Sequence, residues 1–415
     1  MTRRAAVCVL VSALLVSAAL AGCSGSDTRS HSSSIDPSAT TRPTVAATGT
    51  PIAGARLGGT TPGSLISATT IRGLDPSIAA AHIAAARIVY RSTNGSTGKP
   101  TVVSGTIFLP DKAAPAGGWQ VVALGHGSTG VQNDCAPSFS PDLFGQAAAV
   151  IKVAELGVAV TMADYQGLGE PGIHPYLDSR TAGLNIIDSV RALRAAVPDV
   201  SNRWAAIGGS QGGGAVWSAN EQASTYAPDL DLMGTVALSP ATDVSGLVDR
   251  AGAGTLTPEQ RATYPWVLYS LARLHPGLDL ADYRHGSVTT NWALLTSCDT
   301  ADSGKRLQAA DAIGPSELAP ANASDAAVVR GYLRAYALPQ RVLSAPQLVG
   351  FGGKDAYIDP AWTTAALARG CAFGDVLQVR FDPKGTHTTI SGIDPIVWVA
   401  ARFAGQPVTN QCPRA

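Results

Sequence analysis

WAAIGGSQGGG, residues 204–214, is the stretch on which the reading of this chain turns. Residues 204–208 are a short apolar run of strand type, and Gly213-Gly214-Ala215-Val216 opens a small-residue helix. Between them stands Gly208-Gly209-Ser210-Gln211-Gly212, a G-x-S-x-G turn. Side chains at 208 and 212 would strike each other or the flanking helix, and glycine also accepts backbone angles other residues avoid. Such a turn lifts the Ser210 hydroxyl clear of the sheet and presents it at the start of a helix. The same letters also fit a plain Gly-rich turn, so the surroundings must decide.

Working outward, residues 88–93 and 101–109 read as an antiparallel pair joined through Asn94-Gly95, a turn signal in a connection longer than two residues. Apolar strand-like runs follow at 120–124, 157–162, 204–208, 232–238, 346–351 and 376–381. Helical stretches lie between several of them, including 179–197 with Leu184, Ile187, Val190 and Leu193 at helical spacing. Strands alternating with helices imply an α/β fold with a mostly parallel central sheet covered on both faces. A serine elbow at the end of such a strand is the pattern of the α/β-hydrolase fold. Ligands then bind beyond the carboxyl ends of the strands, where Ser210 would stand.

A hydroxyl becomes a nucleophile near neutral pH only with a base beside it and an acid to orient the base. In this fold the chain order is Ser, then Asp or Glu, then His. Three histidines follow Ser210: His275, His285 and His387. The first two precede any strand-end acid, whereas His387 lies on a loop just past the last strand. Asp355 follows the 346–351 strand and is the expected acid. Asp359, directly before Pro360, suits a helix N-cap, and Asp382 is too close to His387 in the chain. The oxyanion of acyl transfer needs preset donors. The amide of Gln211 is one; Ser128 or Thr129, in Gly125-His126-Gly127-Ser128-Thr129-Gly130, is the other. His126 shapes that loop, and Asp164 fixes neighbouring loops rather than acting in chemistry.

The flanks carry different information. Thr2-Arg3-Arg4, an apolar stretch over 5–20 and Leu20-Ala21-Gly22-Cys23 form a processing segment over 1–22 that resembles a lipobox. It implies cleavage before Cys23, lipid on its sulfur and an outward-facing cell-membrane lipoprotein held to the membrane surface without a spanning helix. Residues 23–62 have the Ser/Thr/Pro/Gly composition of a disordered tether, and 63–415 form the enzyme domain. About 107 residues separate the strands ending at 238 and beginning at 346, more than a crossover needs. The excess, residues 242–342, reads as a helical cap over Ser210 whose apolar helices could line an acyl-chain pocket.

Lys plus Arg and Asp plus Glu each number 30. Losing Arg3 and Arg4 leaves 28 basic groups against 30 acidic, with no basic run and nothing that suits nucleic acid. Four cysteines remain after Cys8 and Cys23: Cys135, Cys298, Cys371 and Cys412. An even count in an exported chain favours two disulfides, with three pairings open. No C-x-x-C or His/Cys cluster suggests zinc. Neither metal nor cofactor is expected, and a monomer is.

HGSTGVQNDCAPS at 126–138, DYQGLGEPGIHPYL at 164–177, GGSQGGG at 208–214 and GGKDAYIDP at 352–360 together resemble the secretory lipase family, which includes the yeast lipase A type. The resemblance implies Ser210 as nucleophile, Asp355 as acid, His387 as base, a helical lid, and disulfides Cys135–Cys298 and Cys371–Cys412. The base sits in GTHTTISG rather than the more usual DHG-like setting. The expected activity is hydrolysis of carboxylic esters, with acylglycerols favoured by the resemblance. A peptidase or polyester hydrolase on the same scaffold, or a silent binding lipoprotein, are the alternatives.

Overall fold

A computed structural model describes residues 49–412. The processing segment, Cys23 and most of the expected tether lie outside the described residues. Among the described residues nine strands form one sheet: β1 (Leu65–Thr70), β2 (Ile83–Thr93), β3 (Pro100–Pro110), β4 (Trp119–Gly125), β5 (Ala159–Ala163), β6 (Val200–Gly209), β7 (Asp231–Leu238), β8 (Gln347–Gly352) and β9 (Leu377–Asp382). Their order is β1-β2-β3-β5-β4-β6-β7-β8-β9. The first three strands are antiparallel and β4 to β9 run parallel. This is the mostly parallel α/β architecture expected.

Helices come in chain order as α1 (Pro76–Ala80), α2 (Ala147–Ala154), α3 (Ser179–Ala196), α4 (Gln211–Tyr226), α5 (Gly246–Gly252), α6 (Pro258–Leu274), α7 (Gly286–Thr290), α8 (Trp292–Leu295), α9 (Ser303–Asp311), α10 (Ala323–Tyr336), α11 (Pro360–Phe373) and α12 (Pro395–Phe403). One face of the sheet buries Trp204, Trp217, Tyr90 and the inner side of α3, where Ile187, Val190 and Leu193 are fully covered. The other face packs α2 and α12 through Val150, Val153 and Val399. Trp204 and Trp217 are both fully buried, and aromatic burial of this size dominates core energetics.

Helices α5 to α10 occupy the stretch expected to form the cap. They have an apolar core of their own, which includes Tyr264, Leu268, Leu271, Val288, Leu295 and Val329. The start of its longest helix, α6, is well specified: Thr257 and Gln260 form a reciprocal capping box, with Pro258 in the first turn.

Two departures from the sequence reading concern the antiparallel edge. Strand β1 carries Ser and Thr at half its positions and a bulge between Leu65 and Ser67, so its apolar alternation is weak. Residues 49–62, read as part of the tether, run beside it. Ile52 N donates to Ala68 O at 3.0 Å, and Arg56 N donates to Ala195 O at 2.8 Å. At the opposite edge Gln411 N donates to Leu377 O of β9 at 2.8 Å, next to the disulfide that joins Cys412 to Cys371.

Candidate active site

The parallel register brings the chemistry to one end of the sheet. Gly125 of β4 pairs with Gly208 of β6, Gly209 with Leu238 of β7, and Gly352 of β8 with Asp382 of β9. The loops carrying Ser128, Ser210, Asp355 and His387 therefore leave the sheet side by side.

Ser210 stands between β6 and α4 with φ +57° and ψ −121°. A residue with a side chain pays on the order of 1–3 kcal/mol to hold such a backbone, which persists only when its surroundings over-determine it. They do so here. Ser210 N donates to Leu238 O at 2.9 Å, and Ser210 O accepts from Gly214 N and Ala241 N at 3.1 and 3.0 Å. The flanking glycines answer a contact requirement rather than a dihedral one. Among the described residues with positive φ are Ser210 itself but neither Gly208 nor Gly212. A Cβ at 208 would collide with the carbonyl oxygen of Gly212, and one at 212 with those of Gly125 and His126.

His387 lies on the loop between β9 and α12. Its Nδ1 is 2.8 Å from Asp355 Oδ2, which leaves Nε2 for other work. Asp355 Oδ1 accepts from the amides of Tyr357 and Ile358 at 2.8 and 3.0 Å, so the carboxylate is locked on both sides. Tyr357 packs its ring 4.7 Å from the imidazole. Ser239 Oγ donates to His387 O at 2.9 Å and ties the loop to the end of β7. Asp382 braces the same loop, accepting from Ser391 Oγ, Ser391 N and Lys384 N. The Ser391 hydrogen bonds hold its carboxyl down at about 2. Asp359 caps α11, accepting from Ala361 N at 2.9 Å.

Ser210 and His387 line one cavity of about 640 Å³, together with Gly127, Ser128 and Tyr176. Its far wall is the cap, through Ala262, Thr263, Trp266 and Val267 of α6 and Arg306 and Leu307 of α9. Of the two residues expected beside the oxyanion, Ser128 reaches the cavity and Thr129 does not. Thr129 Oγ1 donates instead to Cys135 O at 2.8 Å. Ser128 Oγ is 2.7 Å from Tyr176 Oη.

Gln211 is buried at the first turn of α4. Its amide has no acceptor among the described residues and belongs to the free donors that every helix start carries. Its side-chain Nε2 lies 3.0 Å from His174 Nε2. Burial pulls His174 down to about 4. Its Nδ1 donates to Gln166 O at 2.9 Å, so neutral Nε2 is the acceptor for the Gln211 amide group. Tyr176, His174, Ser239 and Tyr357 were not singled out from the sequence. The stretch 164–177, quoted there as a motif, contains the first two.

Asp164 and His126 act as loop supports, as expected. Asp164 accepts from Ser104 Oγ, Ser138 Oγ and Ser138 N at 2.6, 2.6 and 2.9 Å. Buried His126 stacks on Tyr165 with centroids 4.2 Å apart. His275 and His285 stay in the cap, stacked on Tyr332 and bonded to Ala319 O respectively. No helix among the described residues is long and apolar enough to cross a membrane.

Among the described residues two disulfides are formed, Cys135–Cys298 and Cys371–Cys412, in the pairing the resemblance implied. The first joins the loop after β4 to the cap. Asp134 adjoins that bridge, but both sulfurs are spent in the bond.

Known proteins agree with this architecture. Candida antarctica lipase A in its closed state matches with a TM-score of 0.67 at 18% identity, over 84% of each chain. A ligand-bound form of the rice cell wall degrading esterase LipA from Xanthomonas oryzae matches at 0.63 and 17%, over 83% of this chain and 95% of that one. At these identities the likeness shows the fold. A protein of Mycobacterium tuberculosis (strain CDC 1551 / Oshkosh) named probable inactive lipase is 25% identical over 346 residues, 79% of this chain and 75% of that one. The model of the secretory lipase family matches residues 145–411. That span runs from just before α2 to the residue before Cys412 and takes in the elbow, the cap and the loops of Asp355 and His387: the chain belongs to the secretory lipase family.

Proposed function

We propose that this chain is a serine-dependent carboxylic ester hydrolase of lipase or esterase type. The observation that carries the reading is that Ser210 and His387 line one cavity while Asp355 holds His387 Nδ1 at 2.8 Å. Ser210 Oγ attacks the acyl carbon as His387 Nε2 takes its proton. The Gln211 amide and Ser128 steady the oxyanion, each such donor being worth about 10²–10³ in rate. His387 returns the proton to the leaving alcohol, and water then releases the acid from Ser210. Acylglycerol-type esters are the favoured substrates, since the family is a lipase family and Leu238, Val244, Leu247 and Val267 offer the cavity apolar side chains.

The name of the Mycobacterium tuberculosis relative makes the silent alternative concrete. A fluorophosphonate probe separates the two. Labelling that disappears in Ser210→Ala supports the enzyme; absence of labelling in folded protein sinks it. The two disulfides and the family fit export. The lipobox-like Leu20-Ala21-Gly22-Cys23 adds, as part of the same proposal, anchoring to the membrane surface through lipid on Cys23. Metabolic labelling with a palmitate analogue, lost in Cys23→Ser, checks it.

A further inference from the structure

One feature of the cavity is foreign to a plain acyl-chain pocket. Among the described residues, Arg306, on α9 of the cap, is the one permanently charged side chain on its wall, and no carboxylate lines it. Arg306 has no acidic partner among the described residues. Its NH1 donates to Ala262 O at 3.1 Å, and its guanidinium lies 4.8 Å from the centre of the Trp266 ring. These contacts fix the group's position without neutralising it, and they leave its other donors without a partner among the described residues, on a side chain that lines the cavity. The titratable groups that face it are Tyr176 and Tyr357, both pushed up by burial and so uncharged at neutral pH. Burial also lowers Arg306 itself. A partly buried cation with no counter-ion is costly, and the cost is recovered when a ligand brings the opposite charge.

We propose that the cavity takes esters bearing an anionic group, a carboxylate or a phosphate, which the Arg306 guanidinium binds while the ester carbonyl lies at Ser210. Arg306 is then a specificity residue that touches substrate. The positive charge of the guanidinium, hydrogen-bonded to the anion, supplies the selectivity, and Trp266 steadies it from one face. The inference rests on the ester-hydrolase reading for its carbonyl end and not for its anion end.

The test is binding to full-length Ser210→Ala protein by titration calorimetry at pH 8. Monomethyl suberate is compared with dimethyl suberate for the carboxylate, and dihexanoyl phosphatidic acid with dihexanoylglycerol for the phosphate. In at least one pair the anionic member should bind about tenfold more tightly. Which pair does so identifies the source. The preference should vanish in Arg306→Gln, persist in Arg306→Lys and shrink with added salt. Equal binding within both pairs, or a preference that survives Arg306→Gln, overturns the inference. Should Arg306→Gln fail to fold, the Arg306→Lys protein and the salt series still decide, because an anion site keeps its preference in the first and loses it along the second. Turnover of p-nitrophenyl butyrate by the wild type is measured alongside. No turnover with intact anion preference removes the hydrolase reading alone; turnover without preference removes the Arg306 inference alone.

Discussion

Asp355 grips His387 with one carboxylate oxygen and its own loop with the other: Oδ2 lies 2.8 Å from His387 Nδ1, while Oδ1 takes the amides of Tyr357 and Ile358. The acid is thus oriented before it orients anything else. Asp355→Asn keeps the shape and the loop contacts but loses the charge and favours the wrong imidazole tautomer. Turnover of p-nitrophenyl butyrate should fall about 10³–10⁴-fold with the melting temperature nearly unchanged. A loss below tenfold would show that another group serves His387.

Ser210 occupies a backbone conformation that L-residues avoid. Ser210→Gly removes the hydroxyl and the strain together. The variant should be inactive yet more stable than the wild type by about 1 kcal/mol or more, read from chemical denaturation. Ser210→Ala, which keeps the Cβ, should be inactive without that gain.

The Cys135–Cys298 bridge spans 163 residues. In the chain-entropy picture a cross-link of that span is worth about 5 kcal/mol. Cys135→Ser with Cys298→Ser should lower the melting temperature markedly. Activity should fall at temperatures where the fold still holds, since the bridge joins the Ser128 loop to the cap. A double variant with wild-type melting and turnover would count against both statements.

Glu221 is buried on α4, where Oε1 accepts from Gln340 N at 2.9 Å. Burial pushes its carboxyl up to about 7 from an ordinary 4.5. The folded chain then holds more protons than the unfolded one between those values, so stability is lost as pH rises through them. Buried Asp375, raised to about 6, acts in the same direction. Glu221→Gln keeps the acceptor and removes the charge. Its stability advantage over wild type should grow between pH 5 and pH 8 to on the order of 2 kcal/mol. A pH-independent difference would show that Glu221 titrates normally.

Much of the fold was readable because it rests on local signals. Apolar strands ended by glycine, Asn94-Gly95, and the Asp359-Pro360 cap all declare themselves within a few residues. Ser210, Asp355 and His387 were picked out the same way, each just past a strand; Ser210 and His387 line one cavity, and Asp355 meets His387. The disulfide pairing came only with the family resemblance, since spacing leaves three choices. What stayed hidden depends on packing between distant segments. Ser128 and Thr129 are equivalent as letters; Cys135 O claims one hydroxyl and Tyr176 meets the other. His174 matters because α4 sets Gln211 against it. Arg306 belongs to an undistinguished cap helix, and only the packing of the cap places it on the wall of the cavity that Ser210 lines. Residues 49–62 look like linker because backbone bonds to an edge strand need no apolar pattern.

The strip of chain around Gln411, fastened by Cys412 to α11, lies along β9 where a tenth strand would pair. Unguarded sheet margins invite a second molecule to add itself by backbone pairing. This tail serves as a hem. A chain cut before Asn410 should keep its turnover when dilute and self-associate as concentration rises, which light scattering would reveal. That outcome would separate solubility from the proposed catalysis, since the hem lies on β9 and Ser210 on the far side of β8 and β7.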